Sequence, residues 1–231
     1  MISVVIPTLN AERVLGESLG ALVPAVVDGL VKEVIIVDGG STDETEKVVD
    51  IAGATFVRSE KGRGAQLAAG ARAAKFSWLL FLHADTVLTP GWEREAAAFM
   101  ERIDSGRRPA SAAAFRFALD DNGIMPRLLE TFVALRCAVF ALPYGDQGLL
   151  LPAALYREVG GYQPLPLMED VHLVRRLGRR RVTMLRAEAA TSAERYRKSG
   201  YALRALRNLA CLTLYGLRVP PRIIARLYGA A

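Results

Sequence analysis

Four apolar runs in the first 85 residues each end, on the carboxyl side, in a cluster of polar or glycine residues. Ile2–Ile6 leads into Pro7-Thr8-Leu9-Asn10, and Val34–Val37 into Asp38-Gly39-Gly40-Ser41-Thr42-Asp43. Phe56-Val57 leads into Arg58-Ser59-Glu60-Lys61-Gly62-Arg63-Gly64, and Trp78–Leu82 into His83-Ala84-Asp85. Helically patterned segments separate the runs, so strand and helix alternate. Such alternation builds a parallel sheet whose ligands bind in the crevice outside the strand carboxyl ends. Carboxylates, a basic glycine loop and a further carboxylate are thereby aimed at one crevice. That combination suits a nucleoside diphosphate held with a metal ion.

The first two runs are short, β-branched and almost wholly apolar, as central strands covered on both faces require. Ser41-Thr42-Asp43-Glu44 reads as a capping box that starts a helix running to about Ala52, where Gly53 stops it. Further strands are expected at Thr55–Val57 and Trp78–Leu82, with an Ala-rich helix between them from Gly64 to about Lys75. Pro90-Gly91 opens a helix through Ile103. Beyond it the pattern predicts strands at Ser111–Leu119, Gly148–Leu151 and Val182–Leu185, helices at Met125–Phe140, Glu169–Arg180 and Tyr201–Leu217, and a basic tail after Pro220-Pro221. No repeat or linker interrupts the chain. One α/β domain over 1–231 is expected: a nucleotide-binding half (1–105), an acceptor half (106–200) and a basic helical segment (201–231).

At 231 residues and 52% apolar, the chain can bury a full core as one domain. Arg136, Asp146, Arg157 and Arg218 interrupt its apolar stretches before any reaches the roughly 18–20 residues needed to span a bilayer. The sequence opens directly on a strand, which leads us to expect a cytoplasmic protein without a signal peptide. Cys137 and Cys211 lack metal-ligand spacing and read as reduced core residues. The net charge of +6 divides unevenly, with residues 1–170 at −6 and Val171 onward at +12. Either the C-terminal part faces an anionic membrane or phosphorylated acceptor, or its arginines sit on a solvated surface. Tyr201, Leu206, Leu209, Leu212 and Tyr215 would form the apolar side of an interfacial helix, with Arg204, Arg207, Arg218, Arg222 and Arg226 meeting headgroups. The same apolar side could instead close the core.

Each candidate residue has a plain structural alternative. Asp38 can accept from a nucleoside, or bond the backbone of its own turn. Asp43 suits a first helical turn in any case. Lys61 and Arg63 flank flexible glycine peptides before a helix N-terminus, where amides and dipole favour phosphate. Asp85 can ligate Mg²⁺ or Mn²⁺, which take one or two carboxylates and complete their shell with phosphate and water, or cap a turn. Glu169-Asp170 can complement a helix dipole or supply a base to a substrate hydroxyl. His172 reads as a helix-face residue.

Taken in order, Val4–Asn10, Ile36–Asp43, the strand ending in Asp85, Gly160-Gly161-Tyr162 and Glu169-Asp170-Val171 resemble the family-2 glycosyltransferases of GT-A fold. Lys61–Gln66 and Phe81–Thr86 look most like the short radical-SAM/selenodomain-associated transferases within it. The resemblance implies an open, mainly parallel, Rossmann-like twisted sheet with helices on both faces. It also implies inverting transfer from a nucleoside diphosphate sugar to an acceptor hydroxyl, with a divalent metal as cofactor. Pro7, Thr8, Asn10, Glu12, Asp38, Gly40, Lys61, Arg63, His83 and Asp85 would hold the donor, Asp85 the metal, and Asp146 and Gln147 the acceptor. Asp170 would be the base, with Glu169 beside it. His83 stands where the family's Asp-X-Asp motif has its first acid, so an aspartate contact to ribose from that position is lost. A nucleotidyltransferase is the nearest enzymatic rival, but Pro7–Asn10 is not its glycine-rich loop. A non-catalytic glycosyltransferase-like binding module is the rival outside enzymes, and a nucleic-acid partner has only the charge in its favour.

Overall fold

Every residue of the first strand, β1 (Ile2–Thr8), is buried, because helices cover both faces of the sheet it centres. Ile2, Val4 and Ile6 join one core cluster, and Val5, pointing the other way by the period of a strand, joins a second. The protein's computed structural model describes residues 1–228. It continues through β2 (Val31–Asp38), β3 (Thr55–Arg58), β4 (Trp78–Phe81), β5 (Thr86–Leu88), β6 (Ala112–Asp120), β7 (Leu149–Pro152) and β8 (Val182–Ser192). These form one eight-stranded sheet in the order β3-β2-β1-β4-β7-β6-β8-β5. The pairs β3–β2, β2–β1, β1–β4 and β6–β8 are parallel. The β4–β7, β7–β6 and β8–β5 pairs are antiparallel, so the sheet is mainly parallel and the acceptor half is stitched on through β7.

Helices α1 (Leu15–Gly20), α2 (Val23–Val27), α3 (Thr45–Ala52) and α5 (Trp92–Asp104) contribute Leu15, Ala25, Val49 and Trp92 to the first cluster. On the opposite face, α4 (Arg63–Ala73), α7 (Ala153–Glu158) and α8 (Glu169–Leu177) contribute Leu67, Leu155 and Leu173. Gly70 lets α4 lie flush on the sheet, since a Cβ there would come within 2.3 Å of the Val5 side chain. The remaining helices, α6 (Ile124–Phe140), α9 (Glu194–Ser199), α10 (Tyr201–Gly216) and α11 (Pro221–Tyr228), gather around the acceptor half. No helix among the described residues is long and apolar enough to cross a membrane. Cys137 and Cys211 are both buried and unpaired.

Several local expectations are corrected. Ser41 does not cap α3, which begins four residues later with Glu44 before it. Ser41 is drawn to Asp38, and Asp43 instead receives the Thr45 amide at 3.1 Å. Strand β8 runs to Ser192 rather than Leu185, pairing with β6 across an irregularity near Ala114 and Arg116. The basic tail is a helix, α11, and residues 229–231 of the C-terminal segment lie outside the described residues. The helical segment expected between β1 and β2 is divided into α1 and α2, and α7 and β5 were not expected. They are three to six residues long, too short for either periodicity to register.

Candidate active site

The loops after β1 and β2 are tied to each other. Asp38, almost fully buried, accepts on Oδ1 from Thr8 Oγ1 (3.0 Å) and Ser41 Oγ, and on Oδ2 from the Gly40 (2.8 Å) and Ser41 (2.7 Å) amides. Asn10, in the left-handed conformation its short polar side chain tolerates, accepts the Thr42 amide at 2.9 Å and donates its own to Ser41 Oγ. Glu12 accepts the Glu44 amide at 2.9 Å, and Asp43 accepts the Glu12 amide at 3.1 Å. Gln66, buried on α4, donates to both the Thr8 and Val37 carbonyls at 2.8 Å and clamps the two strand ends.

Asp38 therefore bonds the backbone of its own turn, with Thr8 joining from the neighbouring strand. Burial pushes its pKa up, but the hydrogen bonds, Ser41's foremost, outweigh burial and hold it below the ordinary carboxylate value. A depressed folded-state value means a stabilisation that is present above the unfolded pKa near 3.8 and is lost as pH falls through the folded one. Asp38→Asn should destabilise the protein by about 1–3 kcal/mol at pH 7, and the gap to wild type should close on acidification. Urea unfolding at pH 7 and near pH 3 checks this. An equal gap at both would show that the charge is not what matters.

The basic loop sits as expected at a helix N-terminus, since α4 begins at Arg63 with Gly62 before it at φ 143°. Its first amides and the helix dipole face the crevice. Gly64 has a different use from the flexibility expected of it. A Cβ there would stand 2.1 Å from the Gln163 carbonyl oxygen, so it lets α4 press against the loop that precedes the Glu169-Asp170 pair. Because the obstacle is backbone, Gly64→Ala should cost about 1–3 kcal/mol or more and weaken ligand binding at this edge, measured by denaturant unfolding and nucleotide titration.

Two adjoining cavities open at the strand ends. The larger, about 670 Å³, is lined by eight of the ten residues expected to hold a donor: Pro7, Thr8, Asn10, Glu12, Lys61, Arg63, His83 and Asp85. Asp38 and Gly40 are not among the residues that line it. The smaller, about 240 Å³, is lined by Asp146, Glu169 and Asp170 and shares Arg63, His83 and Asp85 with the first. Gln147 reaches neither. It is buried, donates to the Phe115 carbonyl at 3.1 Å and accepts from Arg136 at 3.0 Å, which corrects its expected contact with acceptor.

Glu169 and Asp170 open α8 behind Met168, whose φ of 65° is strained for a side chain of that kind. They point apart, as residues adjacent in a helix do. Glu169 is buried and stands 3.2 Å from Arg63 Nε, an ion pair without an aligned N–H. Burial pushes its pKa up, and Arg63 pulls the other way. Asp170 accepts the Gly145 amide at 2.8 Å and lies 4.0 Å from Arg63 Nη2. Burial works against the Arg63 charge, but Glu169 and Asp170 outweigh it.

Burial and the Arg63 charge push the His83 pKa below its ordinary value, and its Nε2 has no hydrogen-bond partner among the described residues. Its Nδ1 is 3.6 Å from Asp85 Oδ1, beyond hydrogen-bond reach. Asp146 Oδ1 is likewise buried without a partner, and burial raises that carboxyl's pKa. No cluster of three potential metal ligands forms among the described residues. Asp85 on the wall shared by both cavities fits an ion that takes one carboxylate and completes its shell with phosphate oxygens and water.

Sequence reasoning missed the C-terminal wall of the smaller cavity. Arg204 and Asn208, one turn apart on α10, line it together with Tyr144 and Tyr196. Arg204 lies over the Tyr196 ring at 5.0 Å, with its Nε buried and unpartnered among the described residues. Nothing in the local pattern says that α10 folds back over α8.

Residues 3–123 match the glycosyl transferase family 2 model. Glucosyl-3-phosphoglycerate synthase of Mycolicibacterium paratuberculosis is 36% identical over 95 residues, 37% of this chain and 29% of that protein. A PGL/p-HBAD biosynthesis glycosyltransferase of Mycobacterium bovis is 34% identical over 107 residues, 38% of this chain and 36% of that one. The chain thus spans about a third of the length of these relatives. Among solved structures, the Mycobacterium tuberculosis glucosyl-3-phosphoglycerate synthase in complex with Mn²⁺ and UDP-glucose superposes with a TM-score of 0.61 at 21% identity, covering 90% of this chain and 77% of that one. Staphylococcus aureus TarS 1–349 does so at 0.63 and 18%, covering 92% and 65%. These neighbours share the fold, and the family model covers more than half of the sequence. The chain belongs to glycosyl transferase family 2.

Proposed function

We propose that the protein transfers a sugar from a nucleoside diphosphate sugar to an acceptor hydroxyl with inversion at the anomeric carbon. One observation carries this reading: a donor-sized cavity and an acid-bearing cavity share the wall of Arg63, His83 and Asp85, with Asp170 beyond it. Pro7, Thr8, Asn10 and Glu12 border the nucleoside side of the larger cavity, and Lys61, Arg63 and the α4 amides receive the diphosphate. As the glycosidic bond to phosphate breaks, negative charge grows on the departing diphosphate. Fixed cations stabilise that state more than the ground state. A divalent ion held by Asp85 would supply further positive charge to the same phosphates. Asp170 takes the proton of the attacking hydroxyl, and Glu169 holds Arg63 in position. The acceptor enters through the smaller cavity, past Asp146, Tyr144 and Arg204.

UDP-glucose with Mn²⁺ is the donor pair to try first, because the glucosyl-3-phosphoglycerate synthase neighbour binds both. The two unpaired cysteines fit a reducing, cytoplasmic setting, with peripheral contact to an anionic membrane. Release of UDP from UDP-glucose, dependent on metal and abolished with Asp85 and Asp170 both replaced, is the expected result. Metal-dependent nucleotide binding without turnover of any nucleotide sugar would favour a non-catalytic binding module.

A further inference from the structure

Helix α10 exposes leucines where a soluble surface helix exposes charges. Its Arg204 and Arg207 are half-buried, while Leu203, Leu206 and Leu209, and Leu217 just beyond its end, face solvent at 67%, 64%, 59% and 72% exposure. No charged residue of α10 is exposed. Helix α6, packed against it, does the same with Ile124, Leu128, Phe132 and Leu135, each close to half exposed or more. Seven large side chains on these two neighbouring helices, on the order of 100 Å² each, together exceed the roughly 300–600 Å² of the largest apolar patch on a typical monomer. Helix α11, which also packs on α10, adds exposed Ile223 and Leu227.

The exposed charges carried by these helices are arginines, although Arg127 is ion-paired at 2.7 Å with the half-buried Glu130 of its own helix. On α6, α10 and α11 the exposed charged residues are Arg127, Arg222 and Arg226, and none of these helices carries an exposed acid among the described residues. Arg179 donates to the Val139 carbonyl at the end of α6, with exposed Arg180 beside it. Sixteen or seventeen helical residues cover about 25 Å, and a helix with one apolar face lies in a membrane interface rather than crossing it. A second copy is the poorer occupant. A two-fold pairing sets the same patch against itself, and here would bring Arg222 and Arg226 towards their own copies with no exposed carboxylate on α6, α10 or α11 between them.

We infer that the α6–α10 face seats the protein on an anionic lipid bilayer, its leucines and phenylalanine entering the headgroup boundary and the flanking arginines meeting lipid phosphates. This revises the arrangement expected from sequence. Leu212 and Tyr215 pack into the core beside Val171, Tyr201 bonds Asp121 at 2.5 Å, and Arg204 serves the cavity. The opposite side of α10 carries the Arg204 and Asn208 wall of the acid-bearing cavity, so docking sets that wall next to the lipid.

Co-sedimentation of the full chain with vesicles decides the matter. The protein should pellet with 30% phosphatidylglycerol vesicles in low salt, and at least tenfold more weakly with pure phosphatidylcholine or in high salt. The double variant Phe132→Glu/Leu206→Glu should lose at least tenfold in vesicle binding. It replaces only exposed side chains, so its melting temperature and Mn²⁺-dependent UDP binding should match wild type. Those readouts keep a failure here separate from a failure of the glycosyl transfer reading. No pelleting at low salt, or unchanged pelleting of the double variant, overturns the inference. So does a wild-type dimer in sedimentation equilibrium that the double variant dissolves, which would assign the face to a second copy.

Discussion

Asp170→Asn should lower sugar transfer by roughly 10²–10⁴-fold while leaving donor affinity near wild type, the loss expected when a general base is removed. Asparagine keeps the shape and can still accept the Gly145 amide through its carbonyl oxygen, so the 144–147 turn stays seated. What it cannot do is take a proton. The neighbouring acid provides the contrast, because Glu169 is committed to Arg63 and buried against it. Glu169→Gln should therefore act by loosening Arg63, weakening diphosphate binding as well as turnover, with a smaller fall in kcat. Steady-state kinetics with a direct nucleotide titration distinguishes the two patterns. Near-normal turnover by Asp170→Asn, or a product that retains the donor's anomeric configuration, would contradict the assignment.

Asp85→Ala should weaken metal-dependent nucleoside diphosphate binding by at least about 10–100-fold, the usual scale for disturbing a metal's ligand environment. Asp85 follows β4 on the wall shared by both cavities, where a single carboxylate faces the basic start of α4. Without it, the diphosphate keeps Lys61, Arg63 and the helix amides but loses the ion that would bridge it to the sheet. The apo melting temperature should barely change, whereas the thermal stabilisation that Mn²⁺ adds to nucleoside diphosphate should vanish. Persistence of that extra stabilisation would place the metal elsewhere.

Much of this was legible in the sequence wherever the physics is local. The runs at Ile2–Ile6 and Val34–Val37 are apolar throughout because both faces of their strands are covered, so the sheet and its ligand-binding edge could be read directly. The glycine loop before α4 and the acids before α8 were visible for the same reason. Long-range partnership was not. Asp38 was open to a nucleoside contact or to the backbone of its own turn, and no local spacing shows that Thr8, thirty residues away, also donates to it. Gln147 looked available beside Asp146, but β6 and α6 claim it from both sides. The Arg63–Glu169 pair and the Arg204 wall depend on how the C-terminal half folds back, which no local spacing encodes. Helix α10 was misread through its amphipathicity. Leu206 and Leu209 are exposed as its pattern suggested, but Leu212 and Tyr215 pack beside Val171 and Arg204 turns to the cavity.

The central claim is that Asp85 and the start of α4 hold a metal-bound nucleoside diphosphate between them, with Asp170 on the far side of the shared wall. Anomalous diffraction at the manganese edge, from crystals grown with Mn²⁺ and UDP or GDP, tests it most directly. The account predicts one strong peak ligated by Asp85 and by both phosphates, the diphosphate lying against Lys61, Arg63 and the α4 amides. Nucleotide bound outside the larger cavity, or a manganese peak that does not touch Asp85, would contradict it.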